Sequence, residues 1–212
     1  MSATPRLPAS DRRRQLLETA LDFFSRKGFE GTTTKEIAVA AGVTEAIIFR
    51  HFPSKQVLYT AVLDFHHEAG EFDECLAQWN SLMDANDDEG LIRSIIDRIV
   101  DSYRKDARVE RVLLFAALEG HQIALEHTRL RAFPVFELLC QYIVRRQSEG
   151  ALRDCNASVI IAAAAGMAKY YGMMTQLFGF PHGGDDRQVA ETFTRIVMDG
   201  IRGPQNSQRK LS

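Results

Sequence analysis

The sequence predicts an all-α protein in which a three-helix helix-turn-helix unit precedes a larger helical domain. Apolar residues recur at intervals of three and four along most of the 212 residues, which is the period of a helix with one buried face. Helix caps and glycine or proline stops punctuate these runs, and no segment alternates convincingly between apolar and polar residues as a half-buried strand does. We expect residues 1–54 to form the first domain, 55–202 the second and 203–212 a disordered polar tail.

The first predicted helix packs into the core through one face and is not expected to contact a ligand. Ser10 is a good N-cap, and Asp11 places a negative charge in the first turn, where the helix dipole favours it. Gly28 follows the last turn and suits the left-handed conformation that ends a helix. The apolar face consists of Leu16, Leu17, Ala20, Leu21 and Phe24.

A short second helix and a tight turn follow. Thr33 and Glu36 have the spacing of a capping box, so this helix is expected to begin near Thr34. Gly42 ends it, at the position where only glycine turns at low cost. The N–H groups and threonine hydroxyls at this helix start suit a phosphate, although a plain helix cap has the same local sequence.

The third helix is predicted to begin after Thr44 as its cap and to pack inward through Ile48 and Phe52. Two short helices joined by a glycine turn are typical of a helix-turn-helix whose second helix enters the DNA major groove. Arg50 suits a guanine edge, and Ala46 and Ile47 suit thymine methyl groups. Ordinary hydrophobic packing is an alternative for Ile47 and Phe49. The residues expected on or near the outer face are Glu45, Ala46, Ile47, Phe49 and Arg50.

A proline stop and a new helix start complete the motif. Pro53 cannot continue the third helix, and Ser54 caps the fourth. Lys55 then lies in the first turn, where a cation opposes the helix dipole, so we interpret it as a phosphate contact. His51 is interpreted in the same way rather than as an acid–base catalyst.

These residues resemble the tetracycline-repressor (TetR) family of bacterial transcription regulators. The resemblance rests on the threonine-rich start at residues 32–41, on Gly42-Val43-Thr44 and on residues 49–55, and it covers roughly the first sixty residues. The family usually has tyrosine where this chain has Phe49, so a hydroxyl contact to phosphate is absent there. The predicted DNA-binding residues are Thr33, Thr34, Lys35, Thr44, Glu45, Ala46, Ile47, Phe49, Arg50, His51 and Lys55.

Helical patterns continue almost to the end of the chain. A long fourth helix is predicted from Lys55 toward Trp79, then a loop at 84–90 and helices at 91–103 and 108–118. A further helix is predicted at 128–148, with Pro134 as its start or as a kink. The last two are expected at 156–178, capped by Asn156, and at 185–201.

The helix over 160–174 is apolar nearly all round, so it must be covered on several sides. We expect it and the helix at 185–201 to form a homodimer face, the alternative being the interior of a monomer. The resemblance implies the same pairing, as a four-helix bundle.

The resemblance also implies a pocket for a small effector between the long fourth helix and those that follow. Such pockets are mostly apolar with a few placed polar groups, although aromatic and Met residues are more often plain core. The candidate lining residues are Phe65, Phe115, His121, Phe133, Met167, Tyr170, Tyr171 and Met174.

Composition bounds the remaining possibilities. The net charge of the whole chain is −2, but residues 1–60 contain nine Lys/Arg and six Asp/Glu. The excess of basic residues therefore lies in the segment that contains the predicted DNA-reading third helix. Three cysteines without metal-ligand spacing, no secretory signal and an apolar run too short to span a bilayer favour a soluble cytoplasmic protein. His66, His67 and Glu71 suggest a metal, but an exposed polar helix face explains them better, and we expect no metal or cofactor.

The sequence therefore predicts a non-enzymatic regulator, a homodimeric repressor that binds a palindromic operator of double-stranded DNA and is released by a small, largely apolar effector. As the resemblance implies, the effector would shift the fourth helix and so change the distance between the DNA-reading third helices of the two protomers. The alternative is a helical small-molecule-binding protein or enzyme that uses the motif only as scaffold.

Overall fold

The computed structural model describes residues 8–65, 71–181 and 184–203, and these residues form ten α-helices and one π-helical turn without a strand. The predicted all-α class is therefore confirmed. The predicted tail over residues 204–212 lies outside the described residues. The helices are α1 (Ala9–Lys27), α2 (Thr34–Ala40), α3 (Glu45–His51), α4 (Lys55–Phe65), α5 (Glu71–Asp84), α6 (Asp88–Asp106), α7 (Arg108–Leu118), α8 (Gln122–Ser148), α9 (Ala157–Gly172) and α10 (Asp186–Ile201), with the π-helical turn at Met173–Leu177.

The first compact unit comprises Met1–Phe72 and Arg108–Leu130, so α7 and the beginning of α8 pack with the first four helices. All five residues predicted for the inward face of α1 are fully buried. Residues from the other helices complete the same core, among them Ile37, Ile48, Leu58, Tyr59, Val62, Val112 and Ala116. The predicted domain boundary between residues 54 and 55 stays a prediction.

The second compact unit comprises Asp73–Ala107 and Arg131–Ser212. Its apolar core is formed by α5, α6, α9, α10 and the later turns of α8, with α6 packed against both α9 and α10. The chain closes this unit through an isolated antiparallel bridge between Leu152 and Arg202. Of the three free cysteines, Cys75 is buried, Cys140 half-buried and Cys155 exposed.

A largely buried ion pair joins the beginning of α6 to the end of α8 in the second unit. Nε and Nη2 of Arg146 donate to the two carboxylate oxygens of Asp88 at 2.8 and 3.0 Å, and each side chain is only 14% exposed. The Tyr142 hydroxyl donates to the same carboxylate at 2.5 Å. Because burial and this hydrogen bond disfavour the phenolate, the pKa of Tyr142 is raised above its usual range, so Tyr142 stays a donor. The pair therefore fixes the relative position of the two helices.

Several predicted helix boundaries are wrong. The first helix begins at Ala9 after Pro8, so Ser10 lies inside it and is not its cap. The helix predicted from residue 128 begins at Gln122, six residues earlier, and contains Pro134. The described part of the predicted long fourth helix forms α4 and α5, and residues 66–70 between them lie outside the described residues.

The end of α9 departs from α-helical geometry over the π-helical turn, where α-helix had been predicted to residue 178. A Cβ atom on Gly172 would lie 2.5 Å from the ring of Tyr103, which is buried on α6. Glycine at this position is therefore a requirement of close packing rather than of backbone conformation.

The segment Ala157–Leu177 is, by length and composition, the one described helical segment that is long and apolar enough to cross a membrane. The sequence-based judgement that the apolar run is too short does not hold for the 21-residue helix. A core helix of a soluble protein can have the same length and apolar composition. Only 28% of the segment's most apolar window is buried, and the exposed positions include Val159, Ala162, Ala163, Gly166 and Tyr170.

We predict that Asp88→Asn lowers the free energy of unfolding by about 2 kcal/mol, because the mostly buried Arg146 guanidinium loses the carboxylate that accepts from its Nε and Nη2 and keeps only Glu149 as an ionic partner. Chemical denaturation of the purified protein measures this. Asp97→Asn is the matched control, since Asp97 pairs with Arg93 at 3.5 Å with both side chains more than one-third exposed, and it should change stability by less than about 0.5 kcal/mol. Equal losses in the two variants would contradict the importance of the buried pair.

Candidate DNA-binding surface

The capping box predicted at the start of α2 is present. The Glu36 N–H donates to the Thr33 hydroxyl at 3.2 Å, and the Thr33 N–H donates to the Glu36 carboxylate at 3.0 Å. Lys27, at the end of α1, donates to the same carboxylate at 2.6 Å. The hydrogen bond from Lys27, followed by those from Thr33, lowers the pKa of Glu36 to about 2. Because folding lowers this pKa, the contacts stabilise the fold above pH 4.5 and weaken as pH falls toward 2.

A second carboxylate contact joins the two helices of the motif. The hydroxyl of Thr34, in the first turn of α2, donates to the carboxylate of Glu45, in the first turn of α3. The Thr33 hydroxyl likewise donates to Glu36, at 2.8 Å. Both hydroxyl protons predicted to meet phosphates therefore have acceptors within the motif, while Lys35 is exposed. Contacts of these residues with DNA stay predictions.

One face of α3 points outward, as the four-residue spacing of Ile48 and Phe52 predicts. Gly42 has a φ of +66°, the left-handed conformation that glycine adopts at low cost. Ile48 and Phe52 are 0% and 1% exposed, so they anchor α3 in the core. Thr44 is the N-cap residue, but its side chain makes no capping hydrogen bond, which corrects the predicted cap. The exposed residues are Ala46, Phe49 and Arg50, and Glu45 and Ile47 are half-buried.

Lys55 is held by an aromatic ring. The Ser54 hydroxyl accepts the Val57 N–H at 3.1 Å, which confirms the predicted cap of α4. The Lys55 ammonium lies 4.2 Å from the centroid of the Phe29 ring, within the range of a cation–π contact. The positive charge of Lys55 therefore has a defined position beside the motif. Its contact with a phosphate stays a prediction.

The corner between α7 and α8 braces the turn that precedes α2. The Glu119 carboxylate accepts the Phe29 N–H at 2.9 Å and the Glu30 N–H at 3.2 Å. The His121 ring lies 4.3 Å from the Phe29 ring and 4.9 Å from the Tyr59 ring, between centroids. Its Nδ1 accepts the Ala124 N–H at 3.2 Å at the start of α8. Sequence reasoning missed Glu119 and Phe29, because they are 90 residues apart and only the fold brings them together.

The residues predicted for an effector pocket are divided between the two compact units. Phe65, Phe115 and His121 belong to the first unit, and the contacts of His121 are those of a helix cap and a ring cluster. Phe133 and Tyr170 are 51% and 63% exposed. Met167, Tyr171 and Met174 are half-buried in the second unit, to which Phe133 and Tyr170 also belong. The pocket stays a prediction.

Metal-binding clusters are absent from residues 8–65, 71–181 and 184–203, where no group of three His, Cys, Asp or Glu side chains suits a metal. His66 and His67, the pair considered from the sequence, lie outside these ranges.

We predict that Gly28→Ala destabilises the first unit more than Gly42→Ala does. Both glycines have a positive φ, which costs an alanine about 1 kcal/mol or more, and Gly28, with a ψ of −175°, lies in a region that is nearly confined to glycine. At Gly42 a Cβ atom meets nothing within 4 Å, whereas at Gly28 it would lie 2.1 Å from Oε1 of Glu119 and would displace that carboxylate from Phe29 and Glu30. Thermal unfolding should show a loss for Gly28→Ala that is larger by at least about 1 kcal/mol. Equal losses would show that the Glu119 contacts do not stabilise the turn.

Comparisons with known proteins agree with this geometry. Residues 16–62, from α1 into α4, match the family described as "Bacterial regulatory proteins, tetR family". The HTH-type transcriptional regulator TtgR of Pseudomonas putida is 30% identical over 156 residues, which cover 74% of this chain and 66% of TtgR. A TetR-like transcriptional regulator from Rhodococcus sp. RHA1 has the same fold, with a TM-score of 0.69 at 20% identity over 92% of this chain and 98% of that one. AibR, solved with isovaleryl coenzyme A and operator DNA, gives a TM-score of 0.62 at 20% identity over 87% of this chain and 97% of its own. The chain therefore belongs to the TetR family of DNA-binding transcriptional regulators, whose members are not enzymes.

Proposed function

We propose that this chain is a repressor that binds a palindromic operator as a homodimer and is released by a small, largely apolar effector. The observation that carries the proposal is the outward face of α3, where Ala46, Phe49 and Arg50 are exposed. Hydrogen bonds and buried side chains fix α3 against α1 and α2, so this face has a defined orientation. A helix presented in this way can enter the major groove and bring side chains to base edges.

Base contacts and phosphate contacts fall on different residues in this proposal. Arg50 is the side chain suited to a guanine edge, and Ala46 and Ile47 are suited to thymine methyl groups. Lys35, His51 and Lys55 lie around the reader and supply backbone contacts, which position a protein on DNA without selecting a sequence. Phe49 is 44% exposed, which favours ring contact with DNA over core packing.

The exposed side of α9 supports the dimer. Ile160, Ile161, Ala164 and Ala168 are buried within the second unit, whereas the opposite side of the helix exposes small and apolar residues. Ile196 on α10 is 56% exposed as well. Small side chains allow a second helix to approach closely, and a contiguous apolar face of this kind marks an interaction site. Coverage by a second copy also accounts for the hydropathy of Ala157–Leu177 without a membrane, so we propose a cytoplasmic protein.

An effector shifts DNA binding only if it binds the released conformation more tightly than the DNA-bound one. The half-buried Met167, Tyr171 and Met174 are our candidates for apolar contacts in the second unit. AibR, a protein of the same fold, was solved with both isovaleryl coenzyme A and operator DNA, which supports a small-molecule site and a DNA site in one chain of this fold.

The rival function is a helical small-molecule-binding protein or enzyme that retains the motif as scaffold. It predicts tight binding of a small molecule with no preference among DNA sequences. The exposed Arg50 and the family membership favour the regulator.

We predict that Arg50→Ala removes sequence preference, whereas Lys55→Ala weakens binding to all sequences. Loss of a base contact costs about 1–3 kcal/mol on the operator only, while loss of a phosphate contact lowers the slope of log K against log salt by about one unit per protomer. Salt-stepped titrations of operator and random DNA measure both effects. Arg93→Ala, on α6 in the second unit, is the control and should change neither. Equal weakening of both DNAs by Arg50→Ala would make Arg50 a phosphate contact.

We predict that Gly166→Arg converts the dimer into a monomer. Gly166 is exposed on α9 and a Cβ atom there meets nothing within 4 Å, so the single chain tolerates the change while a partner helix does not. Sedimentation velocity measures the oligomeric state. Ser102→Arg, at an exposed position of α6, should leave the dimer intact. A Gly166→Arg protein that stays dimeric would place the interface elsewhere.

A further inference from the structure

A groove of about 440 Å³ runs beside the reader helix in the first compact unit. One wall is the first turn of α1, with Ala9 and Arg12, and the other is formed by Thr44, Ile47, Arg50 and His51 from the turn and α3. The sequence predicted only core packing for α1, so the presence of its first turn in the wall of this groove is unexpected.

The lining combines apolar residues with polar and charged ones, and the charged side chains among them are basic. No Asp or Glu is among the lining residues, which are Ala9, Arg12, Gly42, Val43, Thr44, Ile47, Arg50 and His51. Two guanidinium groups, those of Arg12 and Arg50, face it together with His51. The Nε2 atom of His51 is buried and has no hydrogen-bond partner among the described residues. Burial, followed by the charges of Arg50, Arg13 and Arg12, lowers the pKa of His51, so the imidazole is neutral at pH 7. The arginine charges that disfavour the imidazolium also make this groove favourable for an anion.

Arg12 is held in place by a relay of hydrogen bonds. Its Nη1 donates to Oε1 of Gln15 at 2.6 Å, and Nε2 of Gln15 donates to the carbonyl of Ala41 at 3.2 Å. The relay ties the first turn of α1 to the residue that ends α2, immediately before the Gly42 turn. Because no ion pair between Arg12 and a carboxylate is found in the described part of the chain, an arginine fixed by a neutral amide keeps its full charge for a ligand.

The three consecutive arginines of α1 have three different surroundings. The guanidinium carbon of Arg13 lies 5.4 Å from the centroid of the Phe52 ring, and Arg14 is exposed and does not line the groove. Only Arg12 therefore shares a groove with the reader helix.

We propose that Arg12 binds a phosphate of a DNA strand that borders the major groove. The proposal rests on the proposed function and adds α1 to the DNA-contacting surface. The Arg12 contact fixes the depth and register of α3 in the DNA major groove, which leaves Arg50 for the base edge. The ligand class is the sugar–phosphate backbone of double-stranded DNA, so both operator and random sequences are bound through this contact.

Salt-stepped binding of Arg12→Ala tests the proposal, with Arg14→Ala as the matched control and equal melting temperatures as proof of folding. We expect Arg12→Ala to lower the slope of log K against log salt by about 0.9 per protomer on operator and random DNA alike. The ratio of the two affinities should change by less than about twofold, because a phosphate contact carries no sequence information. Arg12→Lys, which keeps the charge, should restore the slope, and Arg14→Ala should keep it.

Three other outcomes would overturn the proposal in distinguishable ways. If the wild type prefers its operator but Arg12→Ala and Arg14→Ala have the same slope as the wild type, Arg12 makes no phosphate contact and the proposed function stands. If Arg12→Ala loses the operator preference with an unchanged slope, Arg12 contacts a base. A wild type without preference for any DNA sequence would remove the proposed function and this inference together.

Discussion

The burial of Ile48 and Phe52 decides which side of α3 faces outward, and the candidate function of the chain depends on that orientation. These two side chains, four residues apart, enter the core that α1 and α2 also line, so rotation of α3 about its axis would expose both. Burying an aromatic and a branched aliphatic side chain contributes roughly 1.5–3 kcal/mol each, which is enough to fix a seven-residue helix that would not be stable alone. Ala46, Phe49 and Arg50 are outward because Ile48 and Phe52 are inward.

Three carboxylates accept hydrogen bonds where neighbouring elements of the first compact unit meet. Glu36 accepts from Lys27 and Thr33 where α1 meets α2, Glu45 accepts from Thr34 where α2 meets α3, and Glu119 accepts two N–H groups of the turn after α1. Acidic groups are unfavourable near DNA, and here each is bonded to a donor within the protein. The arrangement lets a small domain with few buried residues position its arginines accurately, which direct readout of bases requires.

Local sequence patterns predicted the helix-turn-helix motif well. Contacts between residues far apart in the sequence could not be predicted in this way. The Thr33–Glu36 capping box, the Gly42 turn and the inward pair on α3 depend on residues at most four apart, so the sequence alone could indicate them. His121 caps α8 and packs on Phe29 and Tyr59, which lie far away along the chain, so local patterns could not indicate these contacts. Its predicted contact with an effector stays a prediction. The groove at Arg12 has the same origin, because its two walls come from α1 and α3. Pro8 rather than Ser10 is the N-cap residue of α1, so no side chain at that position accepts from the free N–H groups of the first turn.

The central claim is that two copies of α3 recognise a two-fold symmetric DNA sequence. Selection of bound sequences from a random duplex library by the purified protein, with excess competitor DNA, tests it most directly. The account predicts enrichment of an inverted repeat whose half-sites lie about one helical turn, or a multiple of it, apart. A library that shows no enrichment over the input, or an enriched site without two-fold symmetry, would contradict it.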